Sequence, residues 1–249
     1  MAAGLLGLSP AVAEAVPAQQ QAAPACDQNA IELAYESWMG PLSTGNPPRQ
    51  DGDVWYWRLD QANLYCKVGL TGPHWVQGAI RATYLNEGEY QRFGVPENNE
   101  SDAAYGGEHN IFVGGPSGTS GIYWKPDLGA RSILGPIFDK WASAGFEWND
   151  PGSYGYPTSS TLTRSDGVLF TQFLNWDGKG ASLIQRDGTV HGVRGTIRDK
   201  WLATGAEAWC GYPTTDETAI PGGAVSQFQY GRITWDARTN TATEQCNPF

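Results

Sequence analysis

Ile197-Arg198-Asp199-Lys200-Trp201-Leu202-Ala203-Thr204-Gly205, leading to Cys210-Gly211-Tyr212-Pro213, is one of three matching stretches in this chain. Ile137 to Gly145 leads in the same way to Tyr154-Gly155-Tyr156-Pro157, and Ile80 to Gly88 leads to Phe93-Gly94-Val95-Pro96. A pattern returning at intervals of about 60 residues marks one small unit copied in tandem, each copy needing its neighbours to bury a core.

The residues of the pattern predict its local structure. Ile and an aromatic residue (Tyr84, Trp141 or Trp201) stand at i and i+4, on one face of a short helix, and are assigned to the core. Gly78, Gly135 and Gly195 precede the helices, with Pro136 suited to a first turn and Thr196 able to cap. Asp139 and Asp199 are placed in the first turn, where the helix dipole favours acids. Gly88, Gly145 and Gly205 fit the left-handed position that stops a helix. The Gly-x-Pro elements (Gly94 and Pro96, Gly155 and Pro157, Gly211 and Pro213) are read as tight turns, structural rather than functional. Hairpins follow, with the alternation of half-buried strands and with turn dipeptides at Asp166-Gly167, Asp177-Gly178 and Asp187-Gly188. A degenerate first copy is expected with its helix at Ala34–Trp38, its turn at Thr44–Pro47 and a strand at Val54–Trp57. The expected fold is mainly β with short helices, a single repeat domain over 26–249 of about four helix-turn-hairpin units (27–72, 73–130, 131–190, 191–249).

Composition bounds the setting. The 249 residues carry 11 Trp and 11 Tyr but a formal net charge of −10, which argues against nucleic acid and anionic membrane surfaces. Residues 1–25 read as a signal-peptide remnant and flexible leader, apolar at first and then Ala/Gln/Pro-rich, although no basic residue precedes Arg49. No later apolar run approaches the ~20 residues of a membrane span. The four cysteines lack a C-x-x-C pair and are even in number, pointing to disulfides. Cys26–Cys66 with Cys210–Cys246 would staple each terminal unit; Cys26–Cys246 with Cys66–Cys210 is the rival pairing.

The unit resembles the LGFP repeat of actinobacterial cell-envelope proteins, as in mycolyltransferase C-terminal domains. Ile197–Pro213 with Gln227-Phe228 and Gly231–Trp235, Ile137–Pro157 with Gln172-Phe173, and Ile80–Pro96 with Gly121–Trp124 carry the likeness. No copy has a complete Leu-Gly-Phe-Pro: Phe93, Tyr154 or Cys210 replaces Leu, and Val or Tyr replaces Phe. The resemblance implies a propeller-like array and attachment to wall polysaccharide.

Catalytic signatures are lacking. There is no G-x-S-x-G, H-E-x-x-H, P-loop or dinucleotide fingerprint, and His74, His109 and His191 occupy non-equivalent positions. Neither metal nor cofactor is expected. The leading expectation is a secreted, wall-associated, monomeric, non-catalytic module that binds an arabinogalactan-like or peptidoglycan-linked glycan through surface aromatics. Flat rings beside Asp, Asn, Gln and Arg suit the C–H faces and hydroxyls of sugars. Trp75, Trp148 and Trp176 adjoin turn residues outside the shared pattern and lead the candidates, with Trp55 and Tyr123 behind them. Two alternatives stand beside it: a secreted protein-interaction module regulating an envelope enzyme, and a glycan hydrolase with a carboxylate pair.

Overall fold

The computed structural model describes residues 24–148 and 152–247, so the leader expected over 1–25 lies outside the described residues except for Pro24 and Ala25. Strand predominates, in four antiparallel sheets. The first contains β1 (Arg49–Asp51), β2 (Val54–Arg58), β3 (Ala62–Lys67) and β4 (Thr71–Gln77) in that order. The second runs β5 (Gly94–Pro96), β7 (Gly107–Gly114), β8 (Ser120–Lys125), β9 (Gly129–Leu134), with β6 (Ser101–Ala103) also paired to β7. The third repeats this plan with β10 (Tyr156–Pro157), β12 (Leu169–Leu174), β13 (Gly180–Arg186), β14 (Thr189–Arg194), and β11 (Leu162–Thr163) beside β12. The fourth is β15 (Thr218–Ile220), β16 (Gly223–Phe228), β17 (Gly231–Asp236), β18 (Thr241–Cys246). Boundaries near 72, 130 and 190 would cut through β4, β9 and β14, which pair with the sheet before them. Each of these strands runs straight into a helix: α2 (Gly78–Asn86), α4 (Gly135–Ser143) and α5 (Gly195–Ala203). The remaining α-helices among the described residues are α1 (Gln28–Leu33) and α3 (Glu89–Phe93), with 3-10 turns at Ser37–Met39, Ala104–Gly106 and Ala206–Ala208.

That direct entry corrects two expectations about the helix starts. Thr196 makes no capping bond, because the extended residue before each glycine is the cap, and Asp139 and Asp199 lie one turn deeper than the first turn. Gly88, Gly145 and Gly205 do take up left-handed φ of 114°, 97° and 105° after the helices.

The helix aromatic and the Gly-x-Pro turn form one device. Tyr84 Oη donates to Gly94 O at 2.6 Å, Trp141 Nε1 to Gly155 O at 2.9 Å and Trp201 Nε1 to Gly211 O at 3.1 Å. A ring alone would fill the core; only Tyr or Trp also satisfies the buried carbonyl. Glycine is required there twice over, since φ is near +80° at each and a Cβ at Gly94 would lie 1.9 Å from Val113 O. A second lock sits three residues past each proline. The side chains of Asn99, Ser160 and Asp216 accept from the backbone N–H of Trp75, Ser132 and Gly192, at 3.1, 3.2 and 2.9 Å. Each bond ties a turn to the last strand of the preceding sheet.

The first unit obeys the same rule in a different frame from the one expected. Its helix is α1, not Ala34–Trp38, and the i, i+4 pair is Ile31 and Tyr35, with Tyr35 Oη donating to Gly40 O at 2.8 Å. Asp27 caps α1 by accepting from Ala30 N at 2.8 Å.

The strands are not merely half-buried. The central strands β3, β8 and β13 are covered on both faces, so adjacent residues enter different cores. Leu64 packs in the N-terminal core with α1, and Tyr65 in the next. Ile122 joins Tyr65, whereas Tyr123 joins Trp141 in the third cluster. Leu183 belongs there too, and Ile184 to the fourth cluster with Trp201 and Ile233. Three of these cores thus lie between consecutive sheets, and the N-terminal one is enclosed within the first unit. No cluster joins the first and fourth sheets, and no closed barrel or propeller is found among the described residues. Disulfides Cys26–Cys66 and Cys210–Cys246 fasten the outermost units, where a sheet lacks a neighbour on one side.

Candidate functional site

The exposed rings Tyr105, Trp148 and Trp176 are brought together between the second and third units, 45, 54 and 70% exposed respectively. Tyr105 stacks on Trp176 with centroids 5.5 Å apart and planes at 25°, and lies tilted against Trp148 at 6.4 Å. Three elements present them. Trp148 follows the stop of α4. Trp176 rides the β12–β13 hairpin, where Gly178 N donates to Asn175 O at 3.0 Å and Asp177 Oδ1 accepts from Lys179 N at 3.1 Å. Tyr105 occupies the β6–β7 turn in the left-handed region, φ 59° and ψ 34°.

A non-glycine residue holds that conformation only where its surroundings impose it. Ala104, just before it, is gripped from both sides: its N–H donates to Glu147 Oε1 at 2.9 Å, and its carbonyl accepts from the Tyr156 hydroxyl in a very short bond. Burial, and then the nearby Glu147 carboxylate, push the Tyr156 phenol far above its ordinary range, so it stays a donor. Gly107 must lack a side chain, since its Cβ would stand 2.3 Å from the Tyr156 hydroxyl oxygen. The Lys125 ammonium lies 5.7 Å from the Tyr156 ring centroid. The resulting cleft, about 330 Å³, adds Asp127 and Asn175 to its polar lining. Chemically it offers flat apolar faces beside donors and acceptors.

The other expected ring positions lie elsewhere. Tyr123 is 3% exposed, edge-on to Trp141 at 4.7 Å and stacked on His109 at 5.0 Å; it is core, because β8 is buried on both faces. Trp55 and Trp75 are half-buried against the first unit's core. Trp75 also packs edge-on to Trp38 at 5.0 Å. Trp141 and Trp201 are fully enclosed, as befits their locking bonds. Tyr105 carried one sequence signal, the run Tyr105-Gly106-Gly107, which marks a turn able to project a ring.

A second cleft, between the first and second units, is lined by Trp38, Trp124, Gln61, Gln77, Glu100 and Glu108. Burial, followed by a hydrogen bond with Glu108, pushes the Glu100 carboxyl up to about 7. Cys210, Glu244 and Cys246 also bring sulfur and carboxylate atoms together, but both sulfurs are consumed in the disulfide.

Among the described residues no helix is long and apolar enough to cross a membrane. No curated protein matches the sequence significantly. Among solved structures, the extracellular domain of BT4673 from B. thetaiotaomicron is similar at 9% identity and a TM-score of 0.17, over 80% of this chain and 23% of that one. The LGFP repeat family model matches three times, over residues 93–148, 155–208 and 211–244. Each match opens at or beside a Gly-x-Pro turn and runs through a sheet, the first two also taking in the helix that follows. With these copies spanning more than half of its length, the chain belongs to the LGFP repeat family.

Proposed function

We propose that the chain is an extracytoplasmic, non-catalytic module that binds cell-wall polysaccharide, arabinogalactan-like or peptidoglycan-linked, at the Tyr105–Trp176 cleft and the Trp148 ring beside it. The observation that carries this reading is the stacking of Tyr105 and Trp176, contributed by two different units, at the wall of a cleft with polar groups in its lining, with Trp148 flanking Tyr105. Stacked rings supply apolar contact to sugar C–H faces, and Lys125, Asp127 and Asn175 supply hydrogen-bonding groups for hydroxyls. Membership of a cell-envelope repeat family and two disulfides support the setting. A propeller-like turn of the array belongs to the same proposal, supported by the face-to-face packing of consecutive sheets; a straight rod in small-angle scattering would exclude it. The functional test is retention of the pure protein on insoluble wall fractions, with W148A and W176A beside the wild type. Each variant should bind roughly tenfold more weakly, ~1–2 kcal/mol for one stacked ring, with an unchanged melting temperature. Absence of wild-type retention on every fraction would refute the reading.

The Glu100–Glu108 pair favours a second reading, glycan hydrolysis in the Trp38–Trp124 cleft. A carboxyl titrating near neutrality is suited to general-acid work beside a second carboxylate. Release of reducing ends from wall polysaccharide by the wild type, abolished in E100Q, would establish it; no release would remove it.

A further inference from the structure

Between the third and fourth units lies a cleft built on the same positions as the Tyr105 site. Tyr212 occupies the place of Tyr156 in its Gly-x-Pro turn, and the Arg186 guanidinium stands 5.7 Å from its ring centroid, as the Lys125 ammonium does over Tyr156. Glu207 stands two residues after the helix-stopping glycine, as Glu147 does. The hydroxyl of Tyr212 is held by the tip of the preceding unit's hairpin, donating to Asp166 Oδ2 at 2.7 Å, where Tyr156 uses the Ala104 carbonyl. That bond draws the Asp166 carboxyl below its ordinary range, keeping it an acceptor at neutral pH. Tyr230, 43% exposed, supplies an aromatic wall, and Gln185 and Gln229 line the space with amides.

The corresponding place between the first and second units is filled. There Val95 replaces the tyrosine and is buried, Lys67 Nζ donates to Gly114 O at 3.0 Å, and Tyr90 Oη reaches Asp51 Oδ2 at 2.7 Å. Tyr156 and Tyr212, the middle residues of the two Gly-Tyr-Pro turns, each line the cleft at their junction.

We propose that the Tyr212–Tyr230 cleft is a second saccharide subsite, equivalent by repeat symmetry to the Tyr105 cleft, and that one polysaccharide chain engages both. This rests on the saccharide reading of the first cleft. The ligand class is a polysaccharide: the second cleft offers the Tyr230 ring, the Gln185 and Gln229 amides, and the charged groups of Asp166, Arg186, Asp187 and Glu207 as hydrogen-bonding partners for hydroxyls. Linking two weak contacts through one chain makes the second contact intramolecular and raises apparent affinity without adding a new one.

The test is calorimetric titration of the full chain with arabinogalactan fragments graded by length. Short fragments should bind at two sites per wild-type chain and at one per chain in W176A and in Y230A, both surface substitutions. Long fragments should bind once per chain, at least about tenfold more tightly than short ones, and lose that gain in either variant. Two short-fragment sites remaining in Y230A, or affinity independent of length, would overturn the second subsite while leaving the first intact. No binding by the wild type would overturn the saccharide reading and this inference together.

Discussion

Replacing Tyr84 with Phe removes one hydroxyl from the array and leaves its ring in place. The ring is fully buried, stacked on Phe112 at 4.7 Å and edge-on to Tyr65 at 5.3 Å, and these contacts survive the substitution. What is lost is the 2.6 Å bond to Gly94 O, whose carbonyl lies at a glycine that is itself buried. Removing one partner from such a pair costs about 1–3 kcal/mol, because the remaining group stays dehydrated and unpaired. Loss of one polar hydroxyl from a tight apolar cluster offsets a fraction of this, so the expected loss is about 1.5 kcal/mol. Urea unfolding followed by circular dichroism should show a lower midpoint at unchanged slope. W141F should cost more, about 3 kcal/mol, since it removes both the 2.9 Å bond to Gly155 O and the volume of half an indole. If Y84F unfolds within about 0.3 kcal/mol of the wild type, the aromatic-to-turn bond is incidental and the helix residue is selected for shape alone.

Three further outcomes follow from other parts of the molecule. Glu100 titrates near 7 in the folded chain against 4.5 ordinarily, so the folded state holds this proton more tightly. Its contribution is complete below about pH 4.5 and is lost as pH rises through 7; with the group half exposed, the loss is discounted to ~1 kcal/mol, and melting of E100Q against wild type from pH 5 to 8 should show the variant gaining relative stability as pH rises. G155A places a Cβ 2.2 Å from Leu174 O at φ +80°, and should cost roughly 3 kcal/mol or more, read as misfolding or a sharply lowered melting temperature; near-wild-type stability would show that the turn can relax. Reducing Cys210–Cys246, with its separation of 36 residues, should destabilise the fourth unit by about 3–4 kcal/mol, seen as hydrogen exchange rising first in β15–β18.

Spacing made most of the fold legible. The i, i+4 pairs, the stopping glycines and the Gly-x-Pro turns each follow from local geometry, which a sequence records directly. The first unit was misframed because Trp38 looked like the helix aromatic, when its distance from Ile31 rules it out and Tyr35 fits. The locks at Asn99, Ser160 and Asp216 were hidden because three chemically different side chains perform one task, accepting a backbone N–H. Within the site, Trp148 and Trp176 could be picked out because they fall outside the shared pattern. Tyr105 left only the turn signal of Tyr105-Gly106-Gly107, because its left-handed conformation is held from the next unit by Glu147 and Tyr156, and such non-local constraint leaves no periodicity. Tyr123 failed as a surface candidate for a related reason: alternation alone does not say whether the second face of a strand meets water or another unit.

Adjacent residues on the central strands answer that question. Leu64-Tyr65, Ile122-Tyr123 and Leu183-Ile184 are apolar on both faces, and each pair bridges two consecutive cores. The fourth copy reads Ile233-Thr234: the isoleucine is buried, but the threonine faces outward on a sheet whose last strand alternates exposed and half-buried residues. The half-buried threonine thus gives the outer face of the fourth sheet a polar position where the other three central strands carry an apolar one. The same logic applies to the middle residue of the turn. Gly and Pro in Gly-x-Pro set geometry common to the last three copies, whereas x varies: it is buried in all three, and Tyr156 and Tyr212 also line clefts at their junctions. A repeat motif can thus encode architecture at its invariant positions and the character of each junction at the variable one between them.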